Sequence, residues 1–475
     1  MASNFLIIMS DEHQARALGC AKHPLARTPS LDKLAGRGVR FTSAYTPSPI
    51  CVPARASFAT GRHVHGLRCW DNAMPYSGSV PGWGHALQDK GVQVESIGKL
   101  HYRNETDPTG FDRQHVPMHV KDGIGQVWGS VRRESERVVR GGDRMLGPYI
   151  GPGESGYTRY DDAVVVRVEN WLAERAASGG DGPWCLFVGL VAPHFPLVVP
   201  QPFFDMYPAD RLPEVKLHPS TGYRRHPWVE LQNGLMNNEE TFRDPAERLA
   251  AMSAYYGLCS WMDHNVGRIL DALAASGMEG STTIAYTSDH GDNVGARGLW
   301  GKSNFYEESV AVPLIMAGPD VPRGTCNTPV SLPDLSQTVA DHFGCEIDAA
   351  AGAESLAAIA ARPAETERAV FSEYPAVGSV SGGFMLRRGR WKLNYYVGFA
   401  PELFDLAADP EEMNDLAPDP GHAEILAELE TELRAVCDPE EVSARAFADQ
   451  DALIARHGGI EAALGLGAPG ATPSP

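Results

Sequence analysis

Four short apolar runs, each ending in charged residues, constrain the fold of this chain more than any other feature. "NFLIIMS" (4–10) leads into Asp11 and Glu12, and "VQVESIG" (92–98) leads into Lys99 and His101. "WCLFVGLVAP" (184–193) leads into His194, and "TTIAYTS" (282–288) into Asp289 and His290. Helical patterns lie between the runs, as over 158–177 and 246–276, so strands alternate with helices. That alternation predicts an α/β fold with a large, mostly parallel sheet sandwiched by helices. Ligands of such sheets sit beyond the carboxyl ends of the strands, and all four charged clusters fall there.

A fifth segment, "PICVPARASFATGR" (49–62), reads as the start of a helix. Pro53 lies in the first turn, where a missing N–H costs nothing, and Gly61 stops the run. Cys51 then sits at a helix N-terminus, where free N–H groups favour anions. Arg55 lies one turn above it on the same face, so the sulfur and the cation are expected to share one anion pocket. A cysteine-dependent phosphatase would need the arginine six residues after the cysteine and a loop of free N–H groups. Here the spacing is four and Pro53 removes a donor, which excludes that class.

Any one Asp or His after a strand is most simply a cap for the next helix. Together the clusters resist that reading. Left unpaired, so many charges at one sheet edge would cost several kcal/mol in repulsion and desolvation. A metal ion with an anionic substrate balances them. His13, His63, His65 and His264 read as packing residues.

A formal net charge of −19 disfavours nucleic acid or an anionic membrane as partner, so an anionic substrate must be drawn by a local basic cluster. No apolar run is long enough to span a membrane. The first residues read as a strand rather than a signal peptide. Eight cysteines without CxxC pairs form neither a disulfide framework nor a zinc site, which points to a reducing cytoplasm.

The catalytic unit is expected over 1–365. From about 366 to 440, "AVFSEY", "GGFMLRRGRWKLNYYV" and "PELFDLAADPEEMNDLA" predict a small α+β domain: a meander, a turn and an acidic helix. Residues 441–475 read as a helix running into a Gly/Ala/Pro tail. The apolar "IEAALGL" has little obvious core to join, so it is expected to pack on a neighbouring subunit of a homo-oligomer.

Cys51, Pro53 and Arg55, followed by Thr60, Gly61 and Arg62, resemble the Cys-x-Pro-x-Arg signature of the sulfatases. In that family the signature directs oxidation of the cysteine to formylglycine (3-oxoalanine). The likeness extends over "GKLHY", "PHFP", "SDHGD", "GLWGKSNFYEES" and "ELFDLAADPEEMNDLA". It is similar to the cytosolic choline-sulfatase and phosphonate-monoester-hydrolase branch of the alkaline phosphatase superfamily. "CVPARASFATGR", "DNAMPY" and "SDHGDNVGARGLWGK" read especially like choline sulfatases. Glu12 stands where the family has a second Asp or a Gln, and Ala54 replaces a common Ser.

The resemblance implies an alkaline-phosphatase-like sheet, mixed but mostly parallel, and hydrolysis of sulfate esters, with choline sulfate or an aryl sulfate as leading substrates. A formylglycine hydrate offers one hydroxyl to attack sulfur and a second to expel sulfate afterwards. Asp11, Asp289 and His290, with the side chain of residue 51 and Glu12 as a further candidate, would hold a divalent cation. Hard oxygen ligands suit Ca²⁺, Mg²⁺ or Mn²⁺, and the imidazole favours Mn²⁺. By the same resemblance Arg55 orients the modified side chain, and Lys99 and Lys302 clamp sulfuryl oxygens. His101 takes the proton that collapses the intermediate, His194 protonates the leaving oxygen, and Asn72 contacts substrate. A formylglycine-generating enzyme is the implied maturation partner.

Hydrolysis of phosphonate monoesters or phosphate diesters is the competing reading. That branch typically replaces the Lys-x-His pair by neutral hydroxyl-bearing residues, whereas Lys99 and His101 are present here. A non-catalytic anion-binding protein is a third class, betrayed by sulfate binding without turnover. Trp70, Tyr102, Phe195, Trp300 and Phe305 could cage a quaternary ammonium, stack on an aryl ring or sugar, or pack the core.

Overall fold

The computed structural model describes residues 3–140, 144–179, 182–365, 367–467 and 472–475. Eight strands form the main sheet: β1 (Asn4–Asp11), β2 (Val39–Phe41), β3 (Gln93–Lys99), β4 (Arg113–Met118), β5 (Trp184–Pro193), β6 (Thr282–Ser288), β7 (Leu314–Ala317) and β8 (Gly324–Cys326). Their spatial order is β8-β2-β7-β6-β1-β5-β3-β4. The five strands from β6 to β4 run parallel. β7 is antiparallel to both of its neighbours, which makes the sheet mixed.

Helices flank this sheet on both faces, among them α1 (Cys51–Thr60), α2 (Gly156–Ala177), α3 (Pro245–Ala275) and α4 (Leu332–His342). The alternation of β1 side chains explains the layering. Leu6 and Ile8 enter a core with Val164 and Leu172 of α2 and Met262 and Ile269 of α3. Phe5, Ile7 and Met9 face the other way, against Phe58 of α1 and Leu335 and Val339 of α4. Both faces of β1 are therefore dry, as its unbroken apolar run requires. The helices expected over 158–177 and 246–276 begin a residue or two earlier, where Ser155 and Asp244 cap them by accepting from the N–H groups of Thr158 and Glu247.

The meander forms a second sheet of β9 (Ala369–Tyr374), β10 (Gly383–Arg388), β11 (Trp391–Tyr396) and β12 (Glu402–Asp405), antiparallel throughout. Helices α5 (Ala423–Val436) and α6 (Pro439–Arg456) cover it, with Leu429, Leu433 and Val442 against Phe384, Leu386 and Leu393. The expectation that "IEAALGL" lacks a core within its own chain is not met. Helix α7 (Ile460–Leu464) buries Ala463 against Val127 and Val131. Residues 468–471 of the Gly/Ala/Pro tail lie outside the described residues. All eight cysteines are free, and among the described residues no helix is long and apolar enough to cross a membrane.

Candidate active site

Strand register brings the charged clusters together. Ser10 of β1 pairs with Ser288 of β6, so Asp11 and Asp289 leave the sheet side by side. On the other flank Asp11 lies opposite Pro193, which delivers His194. Gly98 of β3 pairs with Gly189 of β5, so Lys99 ends its strand at the same edge.

Helix α1 points its N-terminus at this edge. Ile50 is extended, Cys51 is the first helical residue, and Gly61 ends the helix with φ +75°, its N–H donating to Ser57 O. The Cys51 Sγ lies 3.2 Å from His290 Nε2, 3.5 Å from Lys302 Nζ and 3.7 Å from Asp11 Oδ1. Burial and the Asp11 carboxylate push its thiol up to about 11, against Lys302 and Lys99. At neutral pH the unmodified side chain is a thiol, a poor nucleophile.

Arg55 does not share the anion pocket with Cys51 as the helical spacing suggested. Two carboxylates claim it. Its Nε donates to Asp289 Oδ2 at 2.7 Å, one Nη to Asp11 Oδ2 at 3.3 Å and the other to Lys99 O at 2.8 Å. The guanidinium thus locks the ends of β1, β3 and β6 to one another. Burial alone would raise the Asp11 carboxyl, but Lys99 at 2.5 Å, His194, Arg55 and Lys302 hold it well below the usual carboxylate range.

The residues present fit a divalent cation. Donor atoms of Asp11, Cys51, Asp289 and His290 lie within 4.8 Å of one another, and so do those of Asp11, Glu12 and His194. The His290 Nδ1–H donates to Gly291 O at 3.1 Å, which leaves the Nε2 lone pair facing Asp11 and Asp289, 3.7 Å from each. Glu12 Oε1 is buried without a protein partner, an expensive state that a cation would relieve. Burial pushes the Glu12 carboxyl well up despite Lys302 Nζ at 3.1 Å from its other oxygen. Glu12 (φ 70°) and His101 (φ 60°) both hold left-handed backbone conformations, a strain that clusters at functional sites.

The two histidines sit differently. The His194 Nδ1–H donates to Phe195 O at 2.6 Å, and its Nε2 faces Glu12 Oε2 at 3.3 Å. Burial and Lys302 hold His194 well below the usual imidazole range, while burial and Lys99 do the same for His101. His101 Nε2 meets Thr472 Oγ1 at 2.9 Å, and Tyr157 OH donates to the Thr472 carbonyl. Asn72 accepts from Val52 N at 3.2 Å and donates to Gln126 Oε1 at 3.0 Å, beside Cys51. His13, His63, His65 and His264 all make structural contacts, His13 with Tyr286 OH and Ala17 O and His65 with Glu373.

These groups floor a cleft of about 890 Å³, mouth included. Of the five aromatics considered for a cage, Phe195 and Trp300 line it, whereas Trp70, Tyr102 and Phe305 are core residues. Sequence reading missed Gln126, Asn233, Asn238 and Thr472, all in the lining. They come from turns far apart in the chain, and only the fold brings them near Cys51.

The sheet, with its acids, lysines and histidines at one edge, has an alkaline-phosphatase-like fold. The phosphonate monoester hydrolase of Agrobacterium radiobacter shares that fold, with a TM-score of 0.72 at 22% identity over 94% of this chain and 96% of that one. The pattern of the family described as Sulfatase matches residues 3–345, and that of the N-sulphoglucosamine sulphohydrolase C-terminal region matches 295–438. The choline-sulfatase of Rhizobium meliloti (strain 1021) is 33% identical over 428 residues, covering 88% of this chain and 83% of its own. Arylsulfatase K of Bos taurus is 25% identical, covering 93% and 83%. The chain belongs to the sulfatase family and is a sulfuric ester hydrolase.

Proposed function

We propose that this enzyme cleaves the sulfate ester of a small alcohol or phenol through a formylglycine made from Cys51, with a divalent cation held by Asp11, Asp289, His290 and Glu12. The observation that carries the reading is the place of Cys51: the first residue of α1, between His290 Nε2 and Lys302 Nζ. A divalent cation held there, Ca²⁺, Mn²⁺ or Mg²⁺ by the donor set, would lower the pKa of a formylglycine hydrate, whose two hydroxyls would serve attack and release in turn.

The chain's own residues do the rest. Lys99 and Lys302 hold sulfuryl oxygens where negative charge develops. Arg55 fixes Asp11 and Asp289 and sets the ends of β1, β3 and β6. His194, charged once the anionic ester is bound, would give its Nε2 proton to the leaving oxygen, and His101 accepts the proton released when sulfate departs. Asn72, tied to both Val52 N and Gln126, is placed to touch the ester.

Lys99 and His101 at the cleft floor favour sulfate over phosphonate monoesters. The names of the relatives make choline sulfate and aryl sulfates the first esters to test. Eight free cysteines support a reducing compartment such as the cytoplasm, where a formylglycine-generating enzyme would be the maturation partner.

Peptide mass spectrometry of an active preparation tests the nucleophile. The Cys51 peptide is expected to lose the thiol sulfur and gain an aldehyde oxygen. Full activity with unmodified Cys51 overturns the proposal. So does a higher kcat/KM on a phenyl phosphonate ester than on 4-nitrophenyl sulfate.

A further inference from the structure

The floor of the cleft is charged, but its outer wall is not. Among the described lining residues none is an Asp or a Glu, and the wall mixes amides and rings with aliphatic side chains such as Leu235, Leu299 and Val377. A quaternary ammonium is recognised over open aromatic faces. Here the protein's own cations already use the rings. Lys302 Nζ lies 5.1 Å from the Phe195 ring centroid, and the Arg140 guanidinium lies 4.3 Å from that of Trp128. Trp300 turns its Nε1–H to Glu239 Oε2 at 2.7 Å and packs its ring edge-on against Phe242. A ligand cation entering this wall meets positive charge at two of its three rings.

Two amides in the same wall ask for something else. Asn233 ends the helix Pro227–Asn233, and Asn238 opens the turn Asn238–Thr241. They are 8% and 3% exposed, and both line the cleft. The Asn233 Nδ2 donor and the Asn238 Oδ1 acceptor are buried with no protein partner. Buried amide groups are costly unless paired, and trimethylammonium has neither a donor nor an acceptor to offer them. A ring carrying hydroxyls offers both.

We propose that Asn233 and Asn238 set specificity for a neutral, hydroxyl-bearing leaving group of sugar type, and that the wall selects against a quaternary ammonium. This rests on the sulfatase reading above and names the alcohol that the site releases.

The test compares four sulfate esters on the matured, metal-loaded enzyme: glucose 6-sulfate, choline sulfate, its uncharged isostere 3,3-dimethylbutyl sulfate, and 4-nitrophenyl sulfate. Glucose 6-sulfate is expected to exceed choline sulfate in kcat/KM by roughly tenfold or more, and choline sulfate to show no advantage over its isostere. A tenfold preference for choline sulfate over the isostere overturns the inference and leaves the sulfatase reading intact. Failure of all four esters alongside turnover of a phenyl phosphonate ester overturns that reading, and this one with it. Asn233→Leu and Asn238→Leu are each expected to cost glucose 6-sulfate about tenfold more than they cost 4-nitrophenyl sulfate. Equal losses on both esters would show that the amides only support the fold.

Discussion

The floor and the outer wall of the cleft are built on opposite plans. On the floor Arg55, Lys99 and Lys302 answer Asp11, Asp289 and Glu12 within salt-bridge distance, and nothing can be removed without stranding a buried charge. The wall holds amides and rings whose polar atoms are only partly used. The floor comes from strand ends and one helix start, so its geometry is fixed by the parallel sheet. The wall comes from segments outside the main sheet, at 126–128, 145, 232–238 and 299–304. Chemistry is held rigid, and the choice of alcohol is left to loops.

The comparison breaks first at the floor. Asp289→Asn is expected to abolish turnover and, by leaving Arg55 short of a buried partner, to cost about 3 kcal/mol in denaturant unfolding. Chelation should abolish turnover too, with recovery on adding a divalent cation. A stable, active Asp289→Asn enzyme would show that the floor is not one interlocked unit.

The next effect lies where floor and leaving group meet. His194→Ala is expected to slow an alkyl sulfate roughly 10²–10⁴-fold and to spare 4-nitrophenyl sulfate, whose phenolate leaves without a proton. His101→Ala should slow both alike. The same dependence on leaving-group pKa in the two variants would undo this division of labour.

Thr472 belongs to the wall yet touches the floor. Thr472→Val keeps the shape and removes the hydroxyl at His101 Nε2, so kcat is expected to fall roughly two- to tenfold, as for one hydrogen bond. The pH–rate profile should move with it. A loss equal to that of His101→Ala would give Thr472 more than a positioning role.

The smallest effect lies outside the cleft. Burial opposes the charge on His65, but Glu373 at 2.9 Å outweighs it and raises its pKa. This pair stabilises the fold fully below the ordinary imidazole pKa, and the contribution fades as pH rises through the raised value. Thermal unfolding of the native chain should weaken across that window, and His65→Gln should flatten the slope.

The floor was legible because its parts are contiguous in sequence. Each apolar run ends in its own charged residue, and parallel pairing turns four such ends into one cluster. The reversed strand β7 was not, since Leu314–Ala317 reads the same in either direction and only its neighbours decide. Arg55 was placed on the correct helix but aimed wrongly, because helical spacing ignores the stronger claim of two carboxylates across the sheet. The core of α7 was missed because its partners Val127 and Val131 lie in an irregular segment with no period to read. Asn233 and Asn238 carry no signal in sequence, where a polar residue in a turn is the ordinary case.

The Cys51 side chain is 1% exposed, at the bottom of the cleft beside the ends of β1 and β6. No second enzyme's active site can close around a thiol held there. Under the formylglycine chemistry proposed above, the modification would have to be installed while the segment is still an accessible, extended peptide. Maturation and folding are then competitors in time, and the fraction of active molecules records which was faster. The sheet helps the modifying enzyme, because β1 cannot be enclosed until a strand near residue 285 arrives, and such distant pairings form late. Conditions that speed folding, or a short supply of the maturation enzyme, would give protein that is perfectly folded and permanently inert.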